Sequence, residues 1–449
     1  MSKREIVMTE GSMLGNMLRF SIPLILTNVL QITFSAADSA VVGQFAGSDA
    51  LASVGATTTL IHLLINLFIG LSTGTSIVVS FALGANDEEG ARRHSHNAVA
   101  TALISGVFIG IVGIFVARPA LVMMDTPENV LEGAIIYFRI YFAGAPVLLL
   151  YNFGAAILRA NGDTKRPFIY LTLGGILNVI LNLVFVIGFN MEVAGVALAT
   201  VVANALSAVL VLRELTKINS ACRVSIKKIR IYKDKLLAVL KFGLPAGIQS
   251  CMFSLPNLMI QASINSFGEA ALAGNTAARN IDAYYDVCNN AFSECALTFV
   301  SRNYGAKKYK RIKTATCISL AGAMMVSLVL GVGSYIIREP LLSIFISNNP
   351  EAMEYGMTRM FYLALPNFIA AAMGVLTAAI RGVGKPIFPM ITTVLGVCGV
   401  RILWLIFVLP MYNTIECVYF TYPFTWALTC IALGVYLCIS YRCLMKRTA

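Results

Sequence analysis

The chain has 449 residues, 58% of them hydrophobic and 12% charged, with a mean hydropathy of +0.78 and a net charge of +12. A soluble domain of this length does not need so much apolar surface, because single cores stop growing well below this size. A nucleic-acid partner is excluded too: a basic face for RNA needs interleaved aromatics on a soluble surface, whereas these cations fall between apolar runs.

The charged start, Lys3-Arg4 with Glu5 and Glu10, leads into a span too long for a cleavable signal peptide. Twelve apolar stretches follow, near 16–42, 51–83, 95–117, 133–157, 168–189, 194–213, 237–262, 271–300, 314–337, 355–380, 387–409 and 418–441. Each can cross a ~30 Å hydrocarbon core as a helix that satisfies its own backbone groups. The predicted fold is an all-α, multi-pass membrane protein of twelve spans. Most of the Lys and Arg lie at the termini and in the even-numbered loops, including Arg92 and Arg93, nine from Arg213 to Lys241, six from Arg302 to Lys313, and Arg447. The positive-inside rule then predicts both termini in the cytoplasm of a bacterial plasma (inner) membrane.

The first span carries Asn28, Gln31, Ser35 and Asp38 on one helical face, with Pro23 upstream to bend it. A carboxylate inside a span costs ~2.5–3.5 kcal/mol on insertion scales, so it usually faces a wet interior and serves function. Asp38 is placed to load and release a proton, or to bind a cation when ionised. Between the second and third spans the turn Gly84-Ala-Asn-Asp87 is followed by His94 and His96, expected to be solvated in a loop. The fourth span holds Asn152, the fifth Asn178 and Asn182 at i, i+4, and the sixth Thr200 and Asn204 at the same spacing. These amides and hydroxyls can hold Asp38 in a hydrogen-bonded network; interhelical glue is the rival reading.

Residues 216–236 form a basic linker between an N-terminal six-helix lobe, 1–215, and a C-terminal one, 237–449. Its Ile226, Ile229, Ile231 and Leu236 among lysines predict an amphipathic helix lying on an anionic leaflet. Beyond it the chain repeats itself. Phe20-Ser-Ile-Pro23 returns as Phe242-Gly-Leu-Pro245, Ala50-Leu-Ala52 as Ala271-Leu-Ala273, Arg139 with Pro146 as Arg359 with Pro366, and Arg159 with Gly162 as Arg381 with Gly384. Repeats with an even number of spans run parallel, as in alternating-access transporters.

The eighth span bears Asn275, Arg279, Asp282, Asp286, Asn290 and Glu294 within a 120° stripe, facing water or the other lobe. Arg279 is expected to pair with Asp282 or Asp286, and the stripe either binds substrate or forms an ion-paired gate. Arg401, in the eleventh span, follows Pro386 as Asn182 follows Pro167, so an amide and a cation occupy matching positions. The candidate substrate-binding residues are Gln31, Ser35, Asn152, Asp282, Asp286, Asn290 and Arg401. No metal or cofactor is expected, only H⁺ or Na⁺ as coupling ion. No enzyme fingerprint such as H-E-x-x-H or Walker A occurs in the sequence.

Taken together, Asp38-Ser-Ala-Val-Val-Gly-Gln44, Gly84-Ala-Asn-Asp87, Leu158-Arg-Ala-Asn-Gly-Asp-Thr-Lys-Arg-Pro167, Asn178-Val-Ile-Leu-Asn182, Gly195-Val-Ala-Leu-Ala-Thr200 and Asn303-Tyr-Gly-Ala306 resemble the MATE family of multidrug and toxic compound extrusion transporters. The resemblance covers nearly the whole chain. It implies a V-shaped pair of six-helix lobes that exports cationic or amphipathic small molecules in exchange for H⁺ or Na⁺; a monomer in the lipid bilayer is expected. Asp38 matches the family's first-span carboxylate, proposed as its cation-coupling residue, and Asn178 and Thr200 match its polar partners. Asn182 departs, since many members have Asp there. The NorM-like branch also uses acids in the seventh and tenth spans. Here 237–262 holds none and Glu354 lies just before 355–380, so the resemblance leans to the DinF-like, proton-coupled branch. The alternative within the wider superfamily is a flippase for lipid-linked oligosaccharide, for which Arg139, Arg279, Arg359 and Arg401 are the candidate intramembrane cations.

Overall fold

Short polar turns punctuate a chain that is otherwise helical. The computed structural model describes residues 6–346 and 349–446; Lys3, Arg4, Glu5 and Arg447 lie outside them. Among the described residues nine helices are long and apolar enough to span a membrane. They are α1 (Met13–Ala46), α2 (Ser48–Gly84), α3 (Glu88–Met123), α5 (Lys165–Gly188), α6 (Glu192–Lys217), α7 (Lys233–Asn265), α9 (Tyr309–Ile336), α11 (Ile387–Tyr412) and α12 (Ile415–Lys446). Two bent pairs add a span each: α4 (Glu128–Ala143 with Ala145–Ala160, 47°) and α10 (Pro350–Leu363 with Asn367–Gly382, 44°). Both bends sit at prolines of the repeat, Pro146 and Pro366, which lack the N–H that would continue the helix. The twelfth expected span is α8 (Glu269–Gly305), 37 residues long but made too polar by its stripe to qualify on apolarity.

The residues group into two compact units. The body of the first is Ile22–Gly247; the second comprises Ile248–Ala449 together with Met8–Ser21. The boundaries therefore fall inside α1 and α7. In the first unit Phe138, Phe142 and Phe153 are fully buried in the core. Lipid tails are as apolar as these side chains, so close van der Waals packing holds such helices together. The sequence meets that need with two G-x-x-x-G pairs, Gly70/Gly74 on α2 and Gly243/Gly247 on α7. A Cβ on Gly70 would lie 2.3 Å from Gly247 N, and one on Gly74 2.6 Å from Gly243 N.

The turns behave as their residues dictate. Asn86 adopts a left-handed φ of 57° and Asp87 Oδ1 accepts from Gly90 N at 2.8 Å, capping α3. In the turn before α5, Asp163 Oδ1 accepts from Lys165 N and Arg166 N, both at 3.1 Å. Burial pushes the Asp163 carboxyl above its usual range, while these donors and the Arg166 guanidinium pull it back. Arg166 also bridges to Glu214 at 2.7 Å, tying α5 to the end of α6.

Two expectations fail at the linker. It is not an amphipathic helix: between Lys217 and Lys233 it holds only one 3₁₀ turn, Ile226–Lys228. Nor are the histidines solvated. His94 and His96 are buried in the first turns of α3. His96 Nδ1 meets Arg92 O at 2.7 Å, and its Nε2 accepts from Ser225 N at 2.9 Å. Asn97 Oδ1 accepts from Tyr232 N at 3.0 Å, and Cys222 and Val224 of the linker, which forms a strap between α6 and α7, are buried. Anchoring by α3, with burial of its apolar side chains, outweighs the helical periodicity of its isoleucines.

Candidate functional site

In the first unit, α1 approaches α5 closely because the fifth span has glycine where the first has a ring. A Cβ on Gly175 would lie 1.8 Å from Phe34 Cε2. One turn beyond Phe34, half-buried Asp38 faces the i, i+4 amides of α5. Asn182 Nδ2 donates to Asp38 Oδ1 at 2.5 Å. With the Asn178 amide turned to satisfy its neighbours, its nitrogen donates to the same oxygen at 2.7 Å and its oxygen accepts from Thr200 N at 3.3 Å. Thr200 Oγ1 is itself anchored to Val196 O at 3.0 Å. The four residues Asp38, Asn178, Asn182 and Thr200 thus form one cluster across α1, α5 and α6. Among the described residues the buried Asn182 Oδ1 has no hydrogen-bond partner.

The other first-unit candidates stand apart. Gln31 and Ser35 are exposed on α1. Asn152 donates to Leu148 O one turn back on its own helix at 2.9 Å, and among the described residues no hydrogen bond joins it to Asp38. The cluster's geometry depends on the Phe34–Gly175 contact. Gly175→Ala is therefore expected to displace α1 from α5 and cut substrate-driven flux by about tenfold with little loss of expression. Unchanged flux in reconstituted vesicles would show that the approach is not needed.

In the second unit the polar stripe of α8 is divided. Arg279, Asp286 and Asn290 are exposed, while Asn275 is 1% exposed and Asp282 is largely covered. The partner of Asp282 is not Arg279. Arg359, on α10 and 5% exposed, donates to Asp282 Oδ2 from Nη2 at 2.7 Å and Nε at 3.1 Å, and to Asn275 Oδ1 from Nη1 at 2.6 Å. A guanidinium reaching across from α10 places two N–H donors on the one oxygen Oδ2, a geometry an exposed residue three positions away on α8 does not supply; among the described residues Asp282 Oδ1 has no hydrogen-bond partner. Its face lies 5.8 Å from the rings of Tyr419 and Tyr422 on α12. Arg401 stacks 4.2 Å from Tyr422 and donates to Thr425 Oγ1 at 3.1 Å, so one tyrosine serves two guanidinium groups.

The MatE family model matches residues 23–184 and again residues 245–406, well over half of the chain and with the same internal offset as the repeat. The chain belongs to the MATE family. It is a multi-pass membrane transporter, not an enzyme. It is similar to "Probable multidrug resistance protein YoeA" of Bacillus subtilis, 26% identical over 95% of this chain and 94% of that one. It is also similar to the "FAD transporter" of Shewanella oneidensis, 25% identical over 87% and 86%. A solved MOP superfamily transporter from Pyrococcus furiosus superposes with a TM-score of 0.92 over 99% of both chains at 21% identity, a likeness of fold.

Several residues at these two sites of the MATE chain carry no obvious local signal. Tyr137 on α4 is buried and packs against Tyr141, ring centroids 6.2 Å apart. Arg359 is visible in the sequence as the repeat partner of Arg139. Yet Arg139 is exposed, and its Nε donates to Ile114 O at 3.4 Å rather than to an acid. The repeat itself explains the difference. At the 221-residue offset, Asn275, Asp282, Asp286 and Asn290 correspond to Val54, Ile61, Ile65 and Ile69 on α2, so only the second unit gives its arginine an acid.

Proposed function

We propose that this MATE chain exports cationic and amphipathic small molecules in exchange for protons, as the DinF-like resemblance implies. The observation that carries the reading is the Asp38 cluster: one carboxylate surrounded by neutral amides and a hydroxyl, with Asn182 where the family resemblance implies a second acid. A hard cation such as Na⁺ favours several anionic oxygens, and this site offers one carboxyl group. An asparagine beside it serves both protonation states. When Asp38 is ionised, the Asn182 N–H donates to it; when Asp38 is protonated, its O–H has the partnerless Asn182 Oδ1 as an acceptor after a turn of the amide. The proton and a cationic substrate then exclude each other at one carboxyl group, which couples their movements.

The names of similar proteins, multidrug resistance among them, support the substrate class. A pyrophosphate-carrying flippase fits less well, because Arg359 and Arg401 are already engaged by Asp282, Asn275, Thr425 and Tyr422. Reconstituted in vesicles with an outward or inward proton gradient, the protein is expected to move protons when a cationic dye is added, in sodium-free buffer as well as with Na⁺. A response that appears only with Na⁺ would overturn proton coupling.

A further inference from the structure

The strap that joins α6 to α7 does more than connect. It walls an open groove of about 730 Å³ against the start of α3, lined by Glu88, Arg92, His96, Arg223, Lys227 and Lys228 among others. A second hollow of 330 Å³ adjoins it, shares Arg92, His96, Lys227 and Lys228, and adds Glu89, Arg93, Arg230 and Tyr232. All of these residues belong to the first unit. Six cations thus face two carboxylates, and one of the two, Glu89, is already paired with both Arg92 and Arg93. Among the described residues no ion pair engages Arg223, Lys227, Lys228 or Arg230.

Positive charge on loops is what membrane insertion selects, and that alone would leave the cations spread over a convex, mobile surface. Here they are held in a concave one. The strap is pinned at Ser220 Oγ to Asn161 Oδ1 (2.6 Å), Val224 N to Leu215 O (2.9 Å), Ser225 N to His96 Nε2 (2.9 Å) and Tyr232 N to Asn97 Oδ1 (3.0 Å). Arg223 is steered by its own bond from Nε to Thr216 O at 3.0 Å, and Arg230 lies 4.6 Å from the Tyr232 ring. Like charges held together at this density repel each other unless an anion joins them. The hollow has the size of a small-molecule site, and guanidinium and ammonium donors match phosphate oxygens.

We propose that this groove binds a multiply charged phosphate group, either the headgroup of an anionic phospholipid or a soluble diphosphate-class anion. The test uses the purified full-length protein, the variant Lys227→Gln/Lys228→Gln, and Lys165→Gln/Lys307→Gln as an equal-charge control at two exposed lysines outside the groove. Two probes separate the sources: inorganic pyrophosphate titrated calorimetrically in neutral detergent, and cardiolipin retained from mixed nanodiscs, counted by native mass spectrometry. The groove double variant is expected to lose binding of at least one probe by about tenfold or more, with the control unchanged. Loss confined to cardiolipin identifies a membrane headgroup, and loss of pyrophosphate binding identifies a soluble anion. If neither probe binds the native protein, or the control weakens as much as the groove variant, the proposal is wrong. All four lysines are exposed, so monodisperse elution of both variants is expected and separates binding from folding.

Discussion

Asp38→Asn is expected to insert, elute and unfold like the native protein, yet to lose substrate-driven proton movement almost entirely. The substitution preserves shape, and an amide oxygen at that position can still accept from Asn182 and Asn178, so the contacts among α1, α5 and α6 survive. What disappears is the only group in the cluster that can exist in two charge states. Coupling free energies of 1–3 kcal/mol correspond to about 5–150-fold, so the flux should fall by at least about tenfold and approach that of empty vesicles. The measurement is dye-induced quench or recovery of a pH-sensitive fluorophore in proteoliposomes. Asn182→Leu gives the companion result: it removes donor and acceptor together, and partial activity is expected because Asn178 still holds the carboxylate. Native flux in Asp38→Asn would place the coupling carboxyl elsewhere, and exposed Asp286 would be examined first.

The parts of this protein that lipid constrains could be read from its residues. A span must bury its own backbone, so eleven of the twelve segments stand out as apolar runs or as bent pairs at repeat-related prolines. The twelfth, α8, stands out for the opposite reason, since only a helix with a polar task tolerates so many charges. The Asp38 cluster was legible because its members announce themselves by helical spacing within each span: one acid on α1, amides four apart on α5, a hydroxyl on α6. Which spans meet was supplied by the family resemblance. Long-range choice was not legible. Local spacing put Arg279 beside Asp282, but the carboxylate went to Arg359, 77 residues away, because a largely covered carboxylate needs a donor from a facing helix. The strap failed for a related reason. Its isoleucines have helical spacing, and nothing local reveals that His96 and Asn97 will claim its backbone N–H groups.

Breaking the Arg359–Asp282 pair should cost more stability than any other single change in the second unit. Arg359→Ala would leave the largely covered Asp282 without its cation, and Asp282→Ala would leave a buried guanidinium with Asn275 and the faces of Tyr419 and Tyr422. Removing one partner of a buried pair costs about 3–5 kcal/mol, because an uncompensated charge remains, whereas replacing both by apolar groups of similar volume is often near neutral. Each single variant is therefore expected to unfold many degrees below the native protein in detergent, and Arg359→Met/Asp282→Leu to recover most of the difference. Additive loss in the double variant would mean that the pair is not acting as a unit. The same double variant also separates two roles for the stripe on α8. If Asp282 serves only to hold α8 against α10, the recovered protein transports; if the ion pair also touches substrate, it is stable and inactive. Asp286 is exposed four residues further along the helix, with no ion pair among the described residues, and it remains available for a cationic substrate in either case. Asp286→Asn in the otherwise native protein is accordingly expected to raise the substrate concentration needed for half-maximal flux without moving the unfolding midpoint. A shift in that midpoint instead would assign Asp286 to packing.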